Sequence, residues 1–573
     1  MTVESAGADP IGRSAGTNLP DTLLGTFAEL LERRGDELGI RTLDDSVCWT
    51  WRDLDDRARR AAAGLLALGV APGDTVGLLL SNRAEFFALD LGAVMLGATP
   101  VSVYATSSPE QVAYVAADAG FRLLFADAAL GPAAAQVQCP VHIVEDTFAE
   151  LMTHEPIAEP RDADPSELLT IIYTSGTTGP PKGVELRHAE LMFAMRTIGS
   201  VTTLGAGERV ICWLPMAHIA ERNVSYYGAI IYGSVVTTCP DPRQIGTYLK
   251  AVHPTWFFAV PRIWEKLKAG IEAGISSMPA EASEQVQRAL AQSLERVWLL
   301  QAGDPVPDEL ERAVADAAAM FDGLRAAAGL DAVTKASVGA APISPDVIAF
   351  FHALGLPLAE IYGQSEGCAC ATLNPAERIK IGSVGPPLPG VELRLAPDGE
   401  VLLRGRNLMR GYRGQPEATA EAIDADGWLH SGDIGELDAD GYLKIVDRKK
   451  ELIINAAGKN MSPSNIEAAI KTHTALIGQI VAIGDRRSYN VALIAPDPDA
   501  LAGRGADDPA VQAEIAAAVE RGNERLARVE QIKRYHVLGE PWAPGGDELT
   551  PTMKLKRRPI TEKYAAEIES LYA

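Results

Sequence analysis

The stretch Ile171-Ile-Tyr-Thr-Ser-Gly-Thr-Thr-Gly-Pro-Pro-Lys-Gly-Val184 runs an apolar, strand-forming segment straight into a loop of glycines, small hydroxyls and one lysine. That composition suits a polyphosphate. Gly176 and Gly179 let backbone N–H groups converge on an anion, Thr174, Ser175, Thr177 and Thr178 add hydroxyl donors, and Lys182 supplies charge. The spacing excludes a G-x-x-x-x-G-K-[ST] loop, because Lys182 follows two prolines and precedes Gly183 instead of a hydroxyl residue.

Other segments also concentrate reactive side chains. Ile361-Tyr-Gly-Gln-Ser-Glu366 sets an aromatic, a hydroxyl and a carboxylate within six residues, and Trp428-Leu-His-Ser-Gly-Asp433 ends on a second carboxylate. Val338-Gly-Ala-Ala-Pro-Ile343 is built of small residues, while Asp447-Arg-Lys-Lys450 and Leu549-Thr-Pro-Thr-Met-Lys-Leu-Lys-Arg557 carry basic clusters. Leu214-Pro-Met-Ala-His-Ile-Ala-Glu-Arg222 and Val260-Pro-Arg-Ile-Trp-Glu-Lys266 complete the set.

In this order the segments resemble the motifs of the adenylate-forming superfamily, which comprises acyl-CoA synthetases, peptide-synthetase adenylation domains and luciferases, over about Thr50 to Tyr564. The resemblance implies that ATP, Mg²⁺ and CoA are used. Gly339, Ala340 and Ala341 would leave room for a flat adenine, Tyr362 and Gly363 would pack against it, and Ser365 would reach the α-phosphate. Glu366 and Thr177 would hold the magnesium ion. Asp433 would accept hydrogen bonds from the ribose diol, a role that suits an acceptor-only group with two oxygens. Arg448 would contact ribose or phosphate, and Lys450 would be the hinge of a mobile C-terminal domain. Lys554 aligns with the lysine that bridges carboxylate and α-phosphate. Lys556 is its rival, because Met553 stands where many relatives have glycine. Gly458 and Lys459 would lie on the loop that meets CoA.

The segments around His218 and Arg262 resemble the long-chain fatty acid–CoA ligase branch, with His218 and Trp213 expected at the acyl pocket and an ordinary packed histidine as the alternative for His218. A fatty carboxylate is already ionised at neutral pH, so its activation needs no general base. A fatty acyl-AMP ligase that serves a carrier protein and a non-catalytic nucleotide- or acyl-binding protein are the alternative readings.

Length and charge bound the rest. The chain has 573 residues, enough for several subdomains. Its 52 basic against 76 acidic residues give a net charge of −24, which opposes nucleic-acid binding. The six cysteines form no C-x-x-C pair and read as reduced, mostly buried thiols of a cytoplasmic protein. Fatty acid, ATP and CoA are the expected partners, with transient membrane contact and a homodimer left open. The uncharged run Asn223–Cys239 reads as a buried helix and strand, since it falls short of the roughly 20 apolar residues a span requires.

From Thr50 the pattern alternates helix and strand, predicting an α/β fold of parallel sheets covered by helices. Thr50 and Asp53 mark a helix start, with Leu54, Ala58, Ala62 and Leu65 on its buried face. Residues 280–328 read as two helices broken at Gly303-Asp304-Pro305. Residues 1–20 are expected to be a disordered tail, 21–449 the large domain and 450–573 a small α+β domain with a long helix over 513–531.

Overall fold

The computed structural model describes residues 2–3, 20–174, 180–456, 459–543, 545–550 and 553–573. The first helix after Thr50 spans Trp51–Ala67 and carries the expected capping box. The Thr50 hydroxyl accepts from the Asp53 N–H at 3.1 Å, and the Asp53 carboxylate accepts from the Thr50 N–H at 3.0 Å. Leu54, Ala58, Ala62 and Leu65 are fully buried on one face. The chain then alternates through strand Thr75–Leu79, helix Ala84–Met95, strand Thr99–Ser102 and helix Pro109–Ala119.

Parallel pairing dominates three sheets among the described residues, one built on Leu38–Thr42, Val235–Thr238 and Arg209–Cys212 and two described next. Thr75–Leu79 lies between Thr99–Ser102 and Phe121–Ala126, and the latter pairs in parallel with Val141–Ile143. In the second sheet Trp256–Ala259, Lys335–Val338 and Leu358–Tyr362 run parallel, so their carboxyl ends open on the same side. Antiparallel pairing is more extensive than the alternation predicts. Val391–Leu395, Glu400–Gly405, Leu429–Leu437 and Leu443–Arg448 form an antiparallel sheet, whose outer edge pairs with Thr2–Val3. Residues 2 and 3 therefore belong to a sheet and not to an unstructured tail; residues 4–19 lie outside the described residues.

Two helix boundaries differ from expectation. Residues 280–328 form three helices, Ala280–Ala302, Asp308–Asp316 and Ala318–Ala328. The extra break falls at Ala317, where the backbone turns to φ −84°, ψ −6° and one N–H is shared between the carbonyls of Ala313 and Val314. In the C-terminal region the long helix spans Pro509–Glu524, earlier than predicted. Its start is fixed by Asp508, whose carboxylate accepts from the Ala510 N–H at 2.8 Å. Its end follows from Asn523, which bonds both backbone groups of Ile532 at 2.9 Å and turns the chain into strand Ile532–Val537. A separate core of Ile466, Ile470, Ile477, Ile494 and Ile515 forms beneath this helix.

All six cysteines are free, with Cys212, Cys239, Cys368 and Cys370 buried. Burial pushes the Cys370 and Cys239 thiols up to about 12. No helix among the described residues is long and apolar enough to cross a membrane. The uncharged run is buried as expected, but its helical part opens with a π-helical turn, Arg222–Tyr227. Arg222, fully buried, anchors that turn: it pairs with Asp90 at 2.5 Å and donates to Ser102 Oγ at 2.7 Å and to the Tyr227 hydroxyl at 2.9 Å. Removing one member of such a pair strands the other charge. Asp90→Ala is therefore expected to lower unfolding free energy by about 3–5 kcal/mol, read from denaturant midpoints.

Candidate active site

A cavity of about 1330 Å³ opens where the parallel strands Trp256–Ala259, Lys335–Val338 and Leu358–Tyr362 end. Ligands of open α/β sheets bind outside the carboxyl ends of the strands. Gly339, Ala340 and Ala341 line it directly after the middle strand, while Tyr362 ends the last strand and Gly363, Ser365 and Glu366 follow it. The glycines have local reasons. A Cβ on Gly363 would lie 2.3 Å from the Ala369 carbonyl oxygen, and one on Gly339 would meet Ile361 Cγ1 at 2.8 Å.

The antiparallel sheet supplies the opposite wall. Asp433 and Arg448 are cross-strand partners in its register, with Arg448 Nε 3.6 Å from Asp433 Oδ1. The Tyr362 hydroxyl donates to Asp433 Oδ2 at 2.7 Å, tying the two sheets together. Burial pushes the Asp433 carboxyl up, opposed by Arg448 and by the Tyr362 hydrogen bond. Trp428, just before this strand, packs against the guanidiniums of Arg394 and Arg404, at 4.2 and 4.5 Å from its ring centroid.

Lys554 enters from the C-terminal region. Its backbone is pinned to Thr550, whose hydroxyl accepts from the Lys554 N–H at 3.0 Å and whose own N–H donates to the Lys554 carbonyl at 2.8 Å. Burial, reinforced by Arg448, lowers the Lys554 ammonium to about 8 against the pull of Asp433 and Glu366. Lys556 lines the cavity as well, but its ammonium is engaged by the Gly546 carbonyl, to which it donates at 2.8 Å. Met553 adopts φ +63°, a left-handed conformation that explains why glycine would suit this position.

His218 also lines the cavity. Its Nδ1 accepts from the Ala220 N–H at 3.2 Å, and burial together with Lys554 drives its pKa down to about 3, so the ring is neutral. Trp213 is not at the cavity and corrects the expectation for it. It is buried in the core against Phe257, with centroids 6.2 Å apart, and its indole N–H donates to the Phe258 carbonyl at 3.2 Å.

Thr174 ends strand Leu168–Thr174, and Lys182 opens the antiparallel strand Lys182–Arg187; both line the cavity. Ser175, Gly176, Thr177, Thr178 and Gly179 lie outside the described residues, as does Gly458. Lys459 is exposed, at the end of the loop that joins Ile453–Ile454 to Asn460–Met461, and does not line the cavity. Lys450 follows strand Leu443–Arg448 and does line it.

Two residues of the site escape the motif reading. Tyr412 donates its hydroxyl to Glu366 at 2.8 Å and lies under the Lys182 ammonium, 4.6 Å from its centroid. No local signal marks it, because strand pairing of Tyr412 with Val184 brings it there. Glu360 was legible in principle, since it stands two residues before Tyr362 and shares its strand face. Burial pushes its carboxyl up to about 8, and its Oε2 finds no partner among the described residues.

Residues 31–413 match the family described as AMP-binding enzyme, and residues 450–573 match the AMP-binding enzyme C-terminal domain. The fadD11 protein of Mycobacterium tuberculosis is 49% identical over 431 residues, covering 72% of this chain and 75% of that protein. Long-chain-fatty-acid–CoA ligase FadD15 of the same organism is 34% identical over 563 residues, covering 91% and 92%. The adenylation domain of a carboxylate reductase from Mycobacterium chelonae shares the fold, with a TM-score of 0.78, 22% identity and coverage of 96% and 91%. The chain belongs to the AMP-binding enzyme family of the adenylate-forming superfamily, in its long-chain fatty acid–CoA ligase branch.

The left-handed backbone at Met553 makes a structural prediction. Met553→Gly is expected to shift thermal stability by less than about 1 kcal/mol, because strain relief offsets the entropy of glycine. Met553→Val, β-branched at positive φ, is expected to lower it by about 1–2 kcal/mol in the same melting measurement.

Proposed function

We propose that the protein activates a long-chain fatty acid with ATP to acyl-AMP and then transfers the acyl group to CoA, releasing AMP and pyrophosphate. The observation that carries this reading is the meeting of Lys554, Asp433, Arg448 and Glu366 at the strand ends of one cavity. A carboxylate that approaches the α-phosphate of ATP brings two anions together. Lys554 reduces their repulsion, Arg448 adds charge, and Asp433 fixes the ribose so that attack is in line.

A magnesium ion fits this donor set. Such ions take one or two protein carboxylates and complete their shell with water and phosphate oxygens. Glu366, oriented by Tyr412, would be the protein ligand, and the ion would supply charge neutralisation on the departing pyrophosphate. Lys182 over the Tyr412 ring supports the phosphate-loop role assigned to that segment.

The acyl chain would follow the apolar part of the cavity, lined by Met195, Ile198, Val224, Trp256 and Phe258. FadD15 is named for long-chain acids, which supports the same substrate class here. The domain boundary falls at 449/450, with Lys450 as hinge, a division supported by the self-contained core that begins at Ile453. Lys554 in the cavity with Lys459 outside it is the arrangement suited to adenylation, and rotation about Lys450 would exchange them for thioester formation.

Lys554→Ala should abolish adenylation while sparing thioester formation from supplied acyl-adenylate, with Lys556→Ala mild in both steps. The pH profile adds a sign. The ammonium is the active form and its pKa is lowered to about 8, so kcat/KM for pyrophosphate release should fall as pH rises through about 8. Lys554→Arg should remove that break. A profile flat to pH 10 in the parent would remove Lys554 from the adenylation step.

Pyrophosphate release and CoA-thioester formation across saturated acids test the substrate. Each buried methylene contributes roughly 0.8 kcal/mol, so acids of about 12–18 carbons should outcompete acetate strongly. Preference for acetate or a short aromatic acid would overturn the long-chain assignment.

A further inference from the structure

The segment Val260-Pro-Arg-Ile-Trp-Glu-Lys266 opens helix Pro261–Ser276, and the periodicity of that helix divides its residues between two tasks. Trp264 is fully buried against Phe257 and Phe351, at centroid distances of 5.4 and 4.9 Å, and donates its indole N–H to the Ser337 carbonyl at 3.3 Å. It fixes the helix to the large domain. Arg262, Glu265 and Lys266, spaced i, i+3 and i+4, share another face.

That face meets the C-terminal region through three ion pairs. Arg262 pairs with Asp497, Glu265 with Lys471 at 3.2 Å, and Lys266 with Asp499 at 2.6 Å. The Arg262 and Asp497 side chains are only 11% and 7% exposed, and those of Glu265 and Lys471 only 19% and 16%, so solvent screens these two pairs far less than an open surface pair. Their partners are anchored. Asp497 caps the short helix Pro498–Leu501 through its other oxygen, accepting from the N–H groups of Asp499 and Ala500 at 3.0 and 3.1 Å. Lys471 stands in the last turn of helix Pro463–Lys471. Arg262, Glu265 and Lys471 also line the cavity that Lys554 enters.

We propose that Arg262, Glu265 and Lys266 are positioning residues that clamp the small domain in the orientation that puts Lys554 into the cavity, and that this clamp must open for the second half-reaction. The inference rests on the two-step reading above, since only an enzyme with two domain orientations needs a releasable contact here. The clamp acts through Lys554 and touches no reacting atom. Ion pairs suit this task better than apolar packing, because water can solvate both sides when they part.

The test uses the full-length protein and has two readouts. In the first, spin labels at Glu295→Cys and Glu520→Cys, in a Cys48→Ser/Cys139→Ser background, report the interdomain distance without any substrate. The parent should give one dominant distance, and Arg262→Ala/Lys266→Glu should add a second population. In the second readout, the double variant should lose about tenfold in pyrophosphate release, as expected when the competent orientation stops being dominant. Thioester formation from supplied acyl-adenylate should be unchanged or faster. Adding Asp499→Lys to Lys266→Glu should recover part of the loss seen with Lys266→Glu alone. An unchanged distance distribution would overturn the clamp whatever the enzyme's activity. Equal loss of both half-reactions would also overturn it, because that is the signature of general damage. If the parent releases no pyrophosphate with any fatty acid while the double variant still adds the second distance population, the result would instead count against the proposed reaction and leave the clamp standing.

Discussion

The buried carboxylate of Asp433 is the constraint on which the site depends. A carboxylate removed from water is costly unless it is given partners, and here each partner comes from a different part of the chain. Tyr362 reaches it from the end of the parallel sheet, Arg448 from the neighbouring antiparallel strand, and Lys554 adds its charge from the small domain. Satisfying one group therefore fixes three elements relative to each other. The same group has the two acceptor oxygens that a ribose diol would use.

The charges around Asp433 also set the state of Lys554. Burial and Arg448 disfavour its ammonium, whereas Asp433, Glu366 and Glu451 favour it. This balance leaves the group near its titration point without substrate, and anions brought by ATP and a fatty acid would shift it towards the charged form. The lysine would thus be most strongly charged when the reaction needs it. The small domain contributes through a short reach: Arg557, three residues beyond Lys554, is bonded to both oxygens of Glu467 and to Glu451 at 3.0 Å, which joins the lysine loop to the segment just after Lys450.

Much of this was legible from sequence because the motifs are local. Tyr362, Gly363, Ser365 and Glu366 follow one strand, so their order alone places them on one rim, and the Thr50–Asp53 capping box announces its helix in four residues. What was not legible depends on pairing between distant segments. Tyr412 reaches Glu366 only because strand Gly411–Tyr412 pairs with Lys182–Arg187, and although the Asp440-Gly441 turn announces the next hairpin, the register shift between Ile434 and Gly435 that sets Asp433 opposite Arg448 has no such signal. Trp213 misled for the opposite reason: it adjoins a motif in sequence, but the strand before it turns its ring into the core. In sequence Met553 shows only a departure from glycine, and its positive φ supplies the physical meaning.

The cysteines acquire a chemical meaning from their surroundings. An acyl-adenylate is an electrophile that any thiolate can intercept, and Cys370 lies in the wall of the cavity, four residues from Glu366. Its thiol is pushed up to about 12 by burial, and the neighbouring Cys368 is raised in the same way. At neutral pH both stay protonated and poorly nucleophilic. The interior thus withholds its own sulfur from the activated acyl group, and the competition for it is left to a thiol that arrives from outside.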